Sequence, residues 1–408
     1  MRTRREAVSA ETTVMATKMA GARTYLDHNA TAPLLPEARA AMLVAFDLPG
    51  NASSVHAEGR AARSAVARAR EQVAALCDVR AAQVTFTASA TEAASHVLTP
   101  NFRMGRAPVT ISRLFVSATE HPCMLAGGRF AADRVMQIAV DRDGRLDLAA
   151  LDDAIAGHDA STGQFMLALQ LANNETGVIQ PVAEAAAKVR AAGGIMVVDA
   201  VQGAGRLPLS LSAMGADFLI LSAHKLGGPK GAGALVSAGE ILMPEPLVRG
   251  GGQEKGHRAG TENIAAIAGF GAAADIARAA LSGIATLEAR RDAMEAAMRA
   301  EAPDVVIHGA TAPRLANTCY FALPGLKAET AQIGFDMEGI AVSSGSACSS
   351  GKVGVSHVLK AMGADAGLGA IRVSLGTDTN DADIAAFLKA FSTLNARRLT
   401  RRLGEHAA

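Results

Sequence analysis

Lys225 closes the stretch Asp217-Phe-Leu-Ile-Leu-Ser-Ala-His-Lys225, an apolar run that then breaks into Gly227-Gly-Pro-Lys-Gly-Ala-Gly233. A short apolar run between turn formers reads as a buried strand of a parallel sheet. A lysine at its end either snorkels to solvent, the commoner use of lysine, or is desolvated enough to act as a neutral amine that condenses with an aldehyde. A second apolar run, Gly194-Ile-Met-Val-Val-Asp199-Ala-Val-Gln202, ends in a carboxylate. Alone, Asp199 is equally a helix cap or a metal ligand. With Lys225 following at this spacing, the pair becomes the protein half of a pyridoxal 5'-phosphate (PLP) site. There the lysine takes the aldehyde and the acid holds the pyridine nitrogen protonated.

The elements that must position these groups alternate along the chain. A helix over 61–76 precedes the strand Val84–Thr87, and Ser89-Ala-Thr-Glu92 is a capping box opening the next helix. Strands follow over 113–116, 164–171, 194–198, 218–221 and 232–236, with a helix over 181–192. Such alternation predicts an α/β chain with a mainly parallel sheet and helices on both faces. From about residue 280 long helices (285–300, 383–399) flank short strands near 317–322 and 371–374, which predicts a smaller α+β domain. In open parallel sheets ligands sit beyond the carboxyl ends of the strands. Just past the strand ends stand Ser89-Ala90-Thr91-Glu92, Glu120-His121, Asn174, Asp199 with Gln202, and Ser222 with His224 and Lys225. Singly, Ser89 is a cap, His121 a loop histidine and Asn174 a turn former. Together they converge on one sheet edge, where a helix N-terminus suits a phosphate.

Composition narrows the class. The 408 residues carry 40 Lys+Arg against 39 Asp+Glu and no Trp, so neither a basic footprint nor a stacking platform for nucleic acid is present. The weakly apolar stretch 264–277 is Ala/Gly-rich, interrupted by Asp275 and too short for a bilayer. Cys77, Cys123, Cys319 and Cys348 have neither paired nor metal-ligand spacing, which points to reduced thiols in the cytoplasm and to no resident metal. Residues 1–22 lack a secretory h-region, and Glu6 and Glu11 argue against a transit peptide. They read as a disordered arm, or as an over-long start upstream of Met15 or Met19.

Taken together, the motifs Tyr25-Leu-Asp-His-Asn-Ala-Thr-Ala-Pro33, Gly50-Asn-Ala-Ser-Ser-Val-His56, Thr119-Glu-His121, Asn173-Asn-Glu-Thr-Gly177, Ser222-Ala-His-Lys225, Gly250-Gly-Gly-Gln-Glu-Lys-Gly-His-Arg-Ala-Gly-Thr261, Ser343-Ser-Gly-Ser-Ala-Cys348 and Ile371-Arg-Val-Ser-Leu-Gly376 run in family order. The chain resembles the cysteine desulfurases of the NifS/IscS type, class V aminotransferases of PLP fold type I. The resemblance implies a large domain over 38–280 with a seven-stranded type of sheet. Residues 23–37 would join 281–408 in a small domain carrying a mobile Cys348 loop. It implies that Lys225 binds PLP and moves the substrate Cα proton, that Asp199 bonds the ring nitrogen, and that His121 stacks on the ring and assists proton transfer. Gln202 would bond the phenolic oxygen, and Ala90, Thr91, Ser222 and His224 would hold the phosphate. Thr261 would reach the phosphate of a neighbouring subunit in a homodimer. Arg372 would clamp the substrate carboxylate, with Asn174 contacting both cofactor and carboxylate.

Cys348 sits among small polar residues, a setting for a reactive surface thiol and unlike the apolar helix of Cys77. The resemblance makes it the nucleophile that takes sulfur from L-cysteine, leaving L-alanine. The persulfide would pass to an acceptor such as an iron–sulfur scaffold, and Cys348 would meet a cluster only transiently. Gly227-Gly228 and the tail 400–408 depart from scaffold-docking relatives, which favours a NifS-like role over a housekeeping one. A selenocysteine lyase or an aminotransferase is the alternative on the same scaffold. A binding protein that has lost catalysis would lack Lys225, Asp199 or Cys348, and all three are present.

Overall fold

The computed structural model describes residues 23–345 and 355–406, with side chains described through residue 400. The arm 1–22 and Cys348 therefore lie outside the described residues. The large sheet has nine strands: β1 (Val84–Thr87), β2 (Asn101–Met104), β3 (Ala107–Ser117), β4 (Val135–Ile138), β5 (Gln164–Gln170), β6 (Ile195–Asp199), β7 (Phe218–Ser222), β8 (Gly233–Ser237) and β9 (Leu242–Pro244). Their order is β9-β2-β3-β5-β6-β7-β8-β1, with β4 beside β3. The pairs β4–β3, β3–β5, β5–β6 and β6–β7 are parallel. Strand β8 runs against both its neighbours. Seven of these strands form the expected sheet. The other two extend it as antiparallel strands, β2 on the first part of β3 and β9 on β2.

The central strands are apolar on both faces because both are covered. Met166, Ala168, Ile195, Val197, Phe218, Ile220 and Leu235 pack into one core. The alternate residues Leu167, Leu169, Met196, Val198, Leu219, Leu221 and Ala234 pack into the other. The second core is roofed by the helix Ile264–Ala280, which lies on helices Pro36–Phe46 and Ala57–Leu76. Through the turn Leu281–Gly283 this helix continues into Ile284–Glu301, and the combined span is long and apolar enough to cross a membrane by length and composition. Its buried residues, Ala266, Ile267, Phe270, Ala273 and Ala274 among them, belong to the protein core. We read it as a core helix.

A separate apolar cluster draws on Leu26 and on residues from Leu287 to Leu394. Its sheet joins β10 (Val306–Ile307), β11 (Thr318–Ala322), β12 (Ser343–Ser344) and β13 (Ile371–Ser374) in the order β10-β11-β13-β12. The Phe335 and Phe387 rings stack at 5.2 Å between centroids, and Phe321 meets Phe387 and Phe391 edge-on. Each such pair contributes about 0.5–1.5 kcal/mol beyond burial. The segment 24–35 bridges the two cores. Leu26 N–H donates to Ala341 O, whereas Ala32 N–H donates to His224 O and Leu35 N–H to Gly227 O.

Candidate active site

The site forms where β5, β6 and β7 end. Asp199 is the last residue of β6 and is buried. Its Oδ1 accepts the Val201 N–H at 3.0 Å. Burial pushes its carboxyl up to about 6, while that bond and the Lys225 charge pull it down. Lys225 closes a short 3₁₀ turn directly after β7. Its Nζ donates to the carbonyls of Asn29 (2.6 Å) and Ala30 (2.8 Å). His121 caps the short helix Pro122–Leu125. Burial, then the charges of Lys225 and His357, lower its pKa to about 4, so the imidazole is neutral. His224 is likewise lowered to about 4 by burial and by Lys225 and Lys230, and its Nδ1 lies 3.2 Å from Thr31 Oγ1.

Ala90 and Thr91 open the helix Ala90–Val97, which Ser89 caps through its Oγ to the Glu92 N–H. A Cβ at Gly233 would come within 2.5 Å of the Ser89 carbonyl carbon and 2.8 Å of Ala90 N. Only glycine at the start of β8 therefore lets this helix terminus close against the strand beside Ser222. Arg258 donates to Glu92 at 2.8 Å, fastening the loop that carries Thr261 to the same helix. Thr261 itself is exposed and lines a cavity of about 130 Å³ with Thr87, Ala88 and Gly231, apart from Lys225.

Arg372, on β13, is almost wholly buried and reaches across from the smaller core. It donates through Nη1 to Asn174 O and through Nη2 to Asp27 Oδ1, each at 2.8 Å. Gln202 Nε2 donates to Asn29 O at 3.0 Å, and its Oε1 accepts from the buried Arg206 at 2.6 Å. A cavity of about 300 Å³ flanks Lys225 on the Arg206 side, walled also by His28, Asn317 and Asp378.

The structure thus gathers Asp199, Gln202, Ser222, His224, Lys225 and His121 at one edge, with Asn174 and Arg372 joined opposite. Thr261 is not brought to them within this chain, and Cys348 lies outside the described residues. The two described flanks of its segment reach the site. The Gly345 N–H donates to Ala370 O, Ser356 Oγ donates to the buried Glu175 at 2.7 Å, and His357 Nε2 lies 2.9 Å from Glu120 O. Asp27, Asn29 and Thr31 were not singled out from sequence. Their signal was the motif Tyr25–Pro33, whose hydrogen bonds reach up to 348 residues away. Glu120 is a buried acid whose Oε1 accepts the Gln170 N–H at 2.6 Å. Burial and then the Asp199 charge raise its pKa well above the usual carboxylate range.

Residues 24–387 match the aminotransferase class-V family. A cysteine desulfurase of Enterobacter agglomerans is 38% identical over 383 residues, covering 92% of this chain and 93% of that protein. One from Rhodobacter capsulatus is 41% identical over 381 residues, covering 89% and 94%. A solved structure of a NifS-like protein from Rickettsia africae superposes with a TM-score of 0.82 at 33% identity, covering 92% of this chain and all of that one.

Proposed function

The chain belongs to the class-V aminotransferase family, and on that footing we propose that it is a PLP-dependent cysteine desulfurase, converting L-cysteine to L-alanine and placing the sulfur on Cys348. The observation that carries this is the convergence of Lys225, Asp199 and His121 at one sheet edge, facing Arg372 from the smaller core.

The donor set fits PLP. Asp199 is a buried acid with one backbone donor on Oδ1, suited to a ring N–H. The helix terminus at Ala90-Thr91, closed against Gly233 beside Ser222 and His224, suits a phosphate dianion. Gln202 has its Oε1 held by Arg206, which leaves Nε2 as a donor toward the phenolic oxygen. Lys225 supplies the amine and His121 the ring-stacking imidazole. Bound there, PLP supplies an electron sink for the substrate Cα.

The protein's own residues do the rest. Arg372 and Asn174 orient L-cysteine by its carboxylate, a guanidinium fork suiting a planar anion. Lys225 Nζ takes the Cα proton and returns a proton to the carbon skeleton. His121 Nε2 carries the accompanying proton. The Cys348 thiolate attacks the substrate sulfur: the Cβ–S bond breaks, an S–S bond forms, and L-alanine leaves. One thiol and one cysteine become one persulfide and one alanine, so no external oxidant is needed.

The persulfide passes to an acceptor protein such as an iron–sulfur scaffold in a NifS-like role. A homodimer in which Thr261 serves the neighbouring site completes the phosphate grip, and the exposed Leu43, Val44, Phe46 and Val55 offer an apolar face for the second copy. Cys77, Cys123 and Cys319 form no disulfide among the described residues, which suits the cytoplasm. Adding PLP to the cofactor-free protein should give a visible absorption band that Lys225→Ala abolishes. A band unchanged in that variant refutes the role of Lys225.

A further inference from the structure

Cys123 lies two residues beyond His121 and is the second residue of the short helix that His121 caps. The Cys123 backbone N–H donates to His121 Nδ1 at 3.2 Å. A backbone N–H can only donate, so Nδ1 must present its lone pair and the neutral ring must carry its proton on Nε2. The Cys123 Sγ lies 3.0 Å from the same Nδ1. The thiol is held in its protonated form, since burial, then the neighbouring charges of Asp199 and Glu120, push its pKa up. The contact is therefore S–H donating to Nδ1, and the Thr91 side chain also hydrogen-bonds the sulfur.

We propose that Cys123 is a positioning residue for His121, holding the neutral ring and its direction through an S–H···Nδ1 bond that adds to the backbone N–H contact. The proposal rests on the desulfurase assignment only in giving His121 a proton to move. Two donors share one lone pair, and both stabilise the neutral ring and oppose protonation at Nδ1. The groups that face His121 are the Lys225 ammonium and His357, which already lower its proton affinity. On the thiol side stand Asp199 and Glu120. All four remain in a Cys123 variant, so the thiol's share is separable. Losing one hydrogen bond to the neutral form should raise the His121 midpoint by about half to one pH unit.

The test uses the full-length, cofactor-free protein with nitrogen-15-labelled histidine, the His121 signal assigned by its loss in His121→Gln. Wild type should show a neutral Nε2–H ring. Cys123→Ala, which keeps the backbone N–H, should keep the Nε2–H tautomer and raise the midpoint by about half to one unit, and Cys123→Ser, which keeps a side-chain donor, should restore the midpoint. With L-cysteine and PLP, the acidic limb of kcat/KM should move with the midpoint. A wild-type ring protonated at Nδ1 overturns the proposal. So does a Cys123→Ala ring with an unchanged midpoint. Should the protein prove not to be a desulfurase, only the kinetic arm is lost and the spectroscopic arm still decides.

Discussion

Asp27→Asn separates the substrate clamp from the fold that supports it. Arg372 and Asp27 form a 2.8 Å pair whose side chains are 1% and 20% exposed, so the charge–charge contact is poorly screened. If Arg372 receives the L-cysteine carboxylate, the incoming anion competes with Asp27 for the same guanidinium. A hydrogen bond between charged groups is worth about 1.5–3 kcal/mol. Asparagine keeps the shape and one acceptor oxygen but loses the charge, and Asn174 O continues to hold Nη1. Taking the lower end, about 1.4 kcal/mol of competition is relieved, which corresponds to a roughly tenfold tighter substrate. The unliganded protein should meanwhile lose about 1.5–3 kcal/mol, because the buried guanidinium exchanges a charged acceptor for a neutral one. The assay is the initial rate of alanine formation against L-cysteine concentration, with inhibition by L-alanine as an independent binding measure and a thermal melt for stability. A lower KM and a lower inhibition constant together with a lower Tm bear the reasoning out. A KM that is unchanged or raised, with the same fall in Tm, would make Asp27 purely structural and refute the exchange.

Asp199→Asn tests the buried acid through pH. A carboxyl raised from 3.8 to about 6 contributes its full stability below about pH 4 and loses it between pH 4 and 6, at a cost of about 3 kcal/mol above that window. The cofactor-free variant should therefore be more stable than wild type at pH 7.5 by up to that amount, with the gap closing toward pH 4 in denaturant titrations, and it should bind PLP more weakly. Gly233→Ala should push Ser89 and Ala90 away from β8 and raise the PLP dissociation constant at least tenfold, read by absorbance titration. Ser356→Ala removes the cap of the helix His357–Ala361 and the bond to Glu175, costing about 1 kcal/mol. It should slow persulfide formation in single-turnover assays while leaving PLP affinity intact.

The strand ends that carry the chemistry were legible in the sequence because burial on both faces writes itself as an unbroken apolar run. Phe218–Ser222 and Ile195–Asp199 stop where their polar residues begin. The strands Asn101–Met104 and Leu242–Pro244 were not legible. They lie at the sheet margin, where Asn101, Arg103 and Met104 stay exposed and the run is too short to set a period. The stretch 264–277 reads as only weakly apolar, and not as a helix, because it is rich in alanine and glycine. A Cβ at Gly271 would come within 2.6 Å of Ala69 Cα, so its small residues answer to close helix packing. The expectation that Arg372 clamps the substrate came from family motifs. The Asp27 and Asn29 contacts came from neither pattern nor spacing, because a segment at one end of the chain folds back onto residues hundreds of positions away.

The central claim is that the sulfur of L-cysteine ends on Cys348 as L-alanine is released. It is tested most directly by one turnover of the PLP-loaded enzyme with sulfur-34-labelled L-cysteine, without reductant, followed by mass analysis of the peptide containing Cys348 and by alanine counting. The account predicts one labelled sulfur on Cys348 for each alanine formed, and no alanine burst in Cys348→Ala. Alanine formed with the label on another cysteine or in solution, or a full burst in Cys348→Ala, would contradict it.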